Sequence, residues 1–300
     1  MRTRRWLIGI GIGAALGLGA KFLLLDTAAS PGAEFVIDLA ALHQAATKEG
    51  ALPTGIEVEK IAEFGFPRTL VVAGGGFRTH PMILLAHRLL WPDGHSIVLD
   101  TALAPKDASA LPGARSDAQA YARLEQALAQ AQQIVFTHEH VDHVGGIAAA
   151  KDFAALSEKV LITQPQYDGP RLERDKWAPG TLEQLKPMDY TGLYTVAPGV
   201  VLQKAPGHST GTQLIYVELA SGARYLFVGD IAWSEENIAL QRGRPLLLEL
   251  LGKEDRTAVA SQVQAFAKLP KDVHIVIAHD PVAYKRDLEA GLYHAGFTSP

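Results

Sequence analysis

The sequence predicts a mixed α/β domain of the α+β kind, and three observations predict it. Short apolar runs with strand character alternate with segments of helical composition along most of the chain. Histidines and aspartates stand directly after several of those runs. No internal repeat or low-complexity tract interrupts the pattern beyond one apolar run near the start. The 300 residues are 48% hydrophobic and 20% charged, which is ample for a buried core. A net charge of −4, without a basic stripe, argues against a nucleic-acid partner. The chain has no cysteine, so disulfides, cysteine nucleophiles and thiolate metal sites are excluded. Any metal must be held by imidazole and carboxylate, which suit zinc, iron, manganese or cobalt.

Taken in order, the chain opens with Arg2, Arg4 and Arg5, followed by an apolar run from Trp6 to Leu25 broken only by Lys21. Twenty helical residues span about 30 Å, the thickness of a bilayer's hydrocarbon core. Residues 1–30 are therefore expected to form an N-terminal hydrophobic helix, either an uncleaved anchor or a signal peptide cut after Thr27-Ala28-Ala29. Arginines before the run place the rest of the chain outside. The expected setting is a bacterial envelope: inner-membrane anchored and facing the periplasm, or exported to it. Residues 33–300 form the domain.

Within it, Met82–Leu90 and Ser96–Leu99 read as a hairpin around Pro92-Asp93-Gly94. Ser116 is a candidate cap for a helix over Ala118–Gln133, rich in Ala, Leu, Gln and Glu. Ile134–Phe136 and Val160–Thr163 read as short strands, Gln213–Leu219 and Arg224–Val228 as a second hairpin. Glu254–Leu269 reads as a helix and Val273–Ala278 as a buried strand. Gln164–Tyr194, rich in Pro, Asp, Lys and aromatics, has no period, and a long irregular stretch inside a domain is usually functional or disordered.

The chemistry concentrates in Thr137-His138-Glu139-His140-Val141-Asp142-His143-Val144-Gly145-Gly146, where three histidines and an aspartate follow one strand. His208, Asp230 and His279 stand after later apolar runs. Strand ends that open onto loops are where such folds place their sites. A lone histidine is more often structural than a ligand, and the cluster alone could hold a single ion. Five histidines and two aspartates in one setting point to metal.

This His-x-His-x-Asp-His motif, with a Gly-His, a Gly-Asp and a final His, resembles the metallo-β-lactamase superfamily over Val36 to His279. The resemblance implies an αββα sandwich with two divalent ions, zinc first and iron, manganese or cobalt as alternatives. It implies that His138, His140 and His208 hold one ion, that Asp142, His143 and His279 hold the other, and that Asp230 bridges both. Water activated between the ions would attack a small-molecule substrate, with Asp142 carrying a proton to the leaving group. Ser96–Thr101 resembles the family's strand ending in Asp-Thr-Gly, with Ala102 in the glycine's place, so Asp100 is a candidate to orient a ligand imidazole.

Asp230 argues against a true β-lactamase, and the 21 residues after His279 leave no room for the helical domain of glyoxalase-II-like thioesterases. The remaining likeness is to lactonase-like hydrolases, including N-acyl-homoserine lactonases. Trp233 stands where those enzymes carry a tyrosine, and an indole can stack or donate one hydrogen bond but cannot act as a phenol. An ester or lactone substrate is expected, contacted by Trp233, Trp177 and Tyr190, with the irregular segment as a pocket wall. The alternatives are a mononuclear iron oxidoreductase resembling persulfide dioxygenases, or phosphodiesterase or β-lactamase-like activity on the same scaffold.

Overall fold

The computed structural model describes residues 17–25 and 30–298. Most of the apolar run beginning at Trp6, on which the anchor and signal-peptide expectations rest, lies outside those residues. Its end, 17–25, is helical. Among the described residues no helix is long and apolar enough to cross a membrane.

Among the described residues twelve strands appear in chain order: β1 (Gly55–Pro67), β2 (Thr79–Leu90), β3 (Ser96–Leu99), β4 (Arg115–Ser116), β5 (Gln133–Val135), β6 (Val160–Leu161), β7 (Leu193–Ala197), β8 (Val200–Lys204), β9 (Gln213–Glu218), β10 (Arg224–Phe227), β11 (Val273–Val276) and β12 (His294–Ala295). One sheet has the order β12-β1-β2-β3-β5-β6 with β4 also on β1; the other runs β11-β10-β9-β8-β7.

Alternation along the strands shows how the sheets stack. Ile97, Leu99 and Val135 of the first sheet and Ile215, Val217 and Phe227 of the second belong to one core between the sheets. Their neighbours turn the other way. Val98 and Ile134 pack outward under the helices Ala118–Gln130 and Val141–Ala148. Leu214, Tyr216 and Leu226 pack under the helices Leu39–Ala46 and Arg256–Ala267. Both faces of each strand are therefore apolar, which is why these strands read as continuous hydrophobic runs. Each fully buried aliphatic side chain stabilises by about 1.5–3 kcal/mol. The result is the four-layered αββα sandwich.

Two boundaries differ from the sequence expectation. The long helix is capped by Asp117, whose carboxylate accepts from the backbone N–H groups of Gln119 and Ala120 at 2.9 and 3.0 Å, while Ser116 lies in β4. The helix ends at Gln130 because Ala131 turns extended and Gln133 pairs with Ile97 in the first sheet.

A bulge in β1 shapes the site. Lys60 pairs with Leu85 but Ala62 pairs with Leu84, leaving Ile61 as an extra residue. Before it, Ile56 and Val58 face the inter-sheet core; after it, Ala62 and Phe64 face the opposite side. One inserted residue swaps the strand's faces. Phe64, opposite Met82, is thereby aimed at the cavity described below.

Candidate active site

Both sheets contribute side chains to one edge of the sandwich. From the first, β5 runs into Thr137 and His138, and His140 is the cap residue of the helix Val141–Ala148, whose first turn carries Asp142 and His143. That helix lies against the loop carrying Thr101, and a Cβ on Gly146 would sit 2.4 Å from the Thr101 carbonyl oxygen. From the second sheet come His208 between β8 and β9, Asp230 just beyond β10, and His279 just beyond β11. Gly229 takes a left-handed φ of +51° against Thr137, which turns the chain so that Asp230 enters the site.

The seven side chains form two groups that share one carboxylate. His138, His140, His208 and Asp230 bring ligand atoms within 4.8 Å of one another, as do Asp142, His143, Asp230 and His279. Asp230 Oδ1 is 3.1 Å from His143 Nε2 and 2.9 Å from His279 Nε2. Its Oδ2 is 3.5 Å from His208 Nε2 and 3.8 Å from His138 Nε2. His208 Nε2 and His140 Nδ1 lie 3.0 Å apart. Asp142 Oδ2 is 3.6 Å from His279 Nε2 and is the only one of the seven side chains to be substantially exposed.

The far side of most rings is fixed. His143 Nδ1 meets Asp100 Oδ2 at 2.8 Å, and Asp100 also accepts from the Thr137 backbone N–H and hydroxyl, each at 2.8 Å. His208 Nδ1 meets Glu254 at 2.9 Å, and His279 Nδ1 donates to the Ile83 carbonyl at 2.8 Å. Such partners set ring orientation and tautomer, leaving the other nitrogen to a ligand. Asp100 reaches His143 from a left-handed backbone (φ +56°), and Ala102, at φ +50°, keeps that conformation without the glycine that would suit it.

The electrostatics fit a cation. Burial, reinforced by the neighbouring rings, holds His138 and His140 far below the ordinary imidazole range, so both are neutral. His138 Nε2 is buried without a hydrogen-bond partner. Burial would raise Asp230, but His279, His143 and His138 outweigh it and hold the carboxyl well below its usual range. Burial opposes charge on His143 too, yet Asp100, Asp230 and Asp142 together hold it well above. A buried anion ringed by imidazoles, with Nε2 of both His138 and His140 buried and unpartnered, is a donor set suited to divalent metal.

A cavity of about 320 Å³ opens over these groups. Phe64, Phe66, Met82, Leu103 and Leu248 make one side of it apolar. Trp233 lines it, donates its indole N–H to Asp230 Oδ2 at 2.7 Å and stacks with Phe66. Trp177 and Tyr190 do not line it. Trp177 is buried against Phe153 and donates to the Leu172 carbonyl at 3.2 Å, and Tyr190 is in the inter-sheet core with its hydroxyl on Gln213. The irregular segment is still a wall, through Arg171 and Glu173. Leu172, fully buried between them, pins the loop so that its neighbours face the cavity.

Other residues at the site carry no signal in the sequence. Arg244 is buried, pairs with Glu254 and lies over the Trp233 ring at 4.8 Å. Glu139, buried inside the motif itself, accepts from Ser209 Oγ at 2.7 Å and ties the two ligand loops together; burial raises its pKa.

Residues 89–279 match the model of the metallo-beta-lactamase superfamily, and the chain belongs to that superfamily. It is 28% identical over 104 residues to an N-acyl homoserine lactonase of Bacillus thuringiensis, a stretch covering 35% of this chain and 40% of the relative. It is also 28% identical over 181 residues to a probable metallo-hydrolase of Mycobacterium bovis, covering 51% of this chain and 56% of that one. The chain thus spans less than half the length of the lactonases it matches in sequence. A crystal structure of a quorum-quenching N-acyl homoserine lactone lactonase superposes with a TM-score of 0.63 at 18% identity, over 79% of this chain and 97% of the other. An N-acyl homoserine lactone hydrolase with N-hexanoyl-L-homoserine at its catalytic metal center gives 0.62 at 17%, over 78% and 96%. At these identities the structural likeness is one of fold.

Proposed function

We propose that this chain is a dinuclear metal-dependent hydrolase acting on an ester or lactone, with zinc as its ion. The observation that carries the reading is the sharing of Asp230 between two complete ligand groups. His138, His140 and His208 would hold one ion, Asp142, His143 and His279 the other, and Asp230 both. Two such ions supply Lewis acidity toward a carbonyl and lower the pKa of coordinated water toward about 7.

The chain's own residues do the rest. Trp233 holds Asp230 through its indole N–H and closes the cavity beside it. Asp142, partly exposed, is the carboxylate placed to pass a proton to a departing oxygen. The apolar wall takes an acyl or alkyl portion and keeps water off the reacting centre. Arg171 and Glu173, whose side chains make no hydrogen bond to another described residue, line the cavity and would meet the substrate's polar part.

Elemental analysis of the purified chain tests this directly, with two zinc, manganese or cobalt ions per chain expected together with hydrolysis of esters or lactones. Asp230→Asn should lower occupancy of both ions and abolish hydrolysis. A single iron per chain with oxygen consumption, or an undiminished rate in that variant, would overturn the reading.

A further inference from the structure

Nine large hydrophobic side chains are exposed among the described residues, and seven of them fall on four neighbouring segments. Leu18, Phe22 and Leu25 belong to the helical residues 17–25, Phe77 to the loop before β2, Leu240 to the loop after the helix Glu235–Ala239, and Leu250 and Leu251 to the helix Leu246–Gly252. Hydrogen bonds join the first three segments through residues 68–77. The Thr69 hydroxyl donates to the Leu24 carbonyl at 2.6 Å, Asn237 donates to the Val71 carbonyl at 2.9 Å, and the Ala73 N–H donates to the Gly243 carbonyl at 3.0 Å. Gly243 leads within three residues into the helix that carries Leu250 and Leu251.

This patch borders the cavity. Leu248 and Gly252 of the same helix line it, as does Phe66 at the end of β1. Exposed hydrophobic side chains scattered singly are ordinary, but ones gathered on adjoining segments mark a contact surface.

The charges on these segments select the partner. Lys21, Arg78, Arg242 and Lys253 are all exposed, and none is paired with a carboxylate among the described residues. The acidic side chains there are already occupied: Glu236 with Arg68 at 2.7 Å, Glu249 with Arg256 at 3.7 Å, and Glu235 with Arg286. A chain of net charge −4 therefore gathers free cations around its exposed apolar side chains. In sequence, the patch also continues back from residue 17 into the chain's most apolar stretch and the arginines before it.

From this juxtaposition we infer that the rim of the cavity docks onto an anionic phospholipid bilayer, apolar side chains entering the interface and cations meeting the headgroups. Each Lys or Arg held near such a surface adds to the attraction, which fades within a Debye length of it. On the hydrolase reading above, the cavity then opens toward the membrane, and an ester or lactone dissolved in lipid reaches it without crossing water. The docking itself does not depend on that reading.

The absence of cysteine makes the test clean. In the full chain, single substitutions Phe77→Cys, Leu251→Cys and Ser221→Cys are labelled with an environment-sensitive fluorophore. Ser221 lies in the β9–β10 turn, at the opposite end of β10 from Asp230. With vesicles of phosphatidylglycerol and phosphatidylethanolamine, the labels at 77 and 251 should shift to the blue and be quenched by nitroxide lipids, while the label at 221 should not. Phosphatidylcholine vesicles, or Arg78→Gln with Arg242→Gln, should weaken the shift. Labels at 77 and 251 that stay in water while the chain binds vesicles would overturn the inference, because the N-terminal segment alone would then be the contact. A shift that grows with protein concentration without lipid would overturn it too, assigning the patch to a second copy.

Discussion

His87 lies in the wall between the sheets, its ring edge-on to Phe227 and Tyr293, and its Nε2 finds no partner. Burial pushes its pKa down to about 4. The folded state therefore keeps this ring neutral where the unfolded chain, near 6.5, takes up a proton. The group costs nothing above the unfolded value, and its penalty grows as pH falls from about 6.5 to about 4, reaching about 3 kcal/mol. Urea unfolding between pH 7 and 4 should thus show a shallower loss of stability in His87→Phe than in the parent. Equal slopes would mean that the ring already binds a proton in the fold. At this scale the seven candidate ligands and Asp100 were legible, because each stands in or beside a strand-end motif. Trp177 and Tyr190 misled because an aromatic in an irregular segment reads the same whether it lines a cavity or anchors a loop. Arg244, Glu254 and Glu139 acquire their places only from the packing of distant segments, which no local pattern records.

Among the elements, the helix Val141–Ala148 matters most, since it presents Asp142 and His143 while resting on the loop that holds Asp100. Its closeness depends on Gly146, where a side chain would meet the Thr101 backbone. Gly146→Ala should push the helix outward, costing about 1–3 kcal/mol as overpacking does. A drop in melting temperature together with weakened metal binding is expected; full metal content at unchanged stability would show that the helix yields freely. The hairpin β2–β3, the β9–β10 hairpin and the strand before the motif were legible from alternation and turn residues. The long β1 was not, because its bulge breaks the period of two and Glu57, Glu59 and Lys60 dilute its apolar signal. Glu57 and Glu59 are nonetheless buried, paired with Arg88 of β2 and Arg123 of the helix Ala118–Gln130, partners that only the fold brings near.

For the whole molecule, the ligands are divided between the sheets: His138, His140, Asp142 and His143 from one, His208, Asp230 and His279 from the other. Ions bound there would cross-link the two halves, and an ion that binds only the folded state stabilises it by about 2.7 kcal/mol at a hundred times its Kd. Chelation should lower the melting temperature and zinc should restore it; a melting temperature indifferent to both would mean that the groups hold no ion. The four-layer order came from the motif resemblance, whereas strand periodicity alone supported no more than a mixed fold.

The extra residue in β1 has a consequence for how such a protein can change over generations. Ile61 sets which face Phe64 presents, and Phe64 is part of the wall a substrate would meet. The loss or gain of one codon in this strand would exchange that wall without altering any of the seven candidate ligands, none of which lies on β1. Selection could in this way recut the binding surface in a single step, without first dismantling the chemistry beneath it.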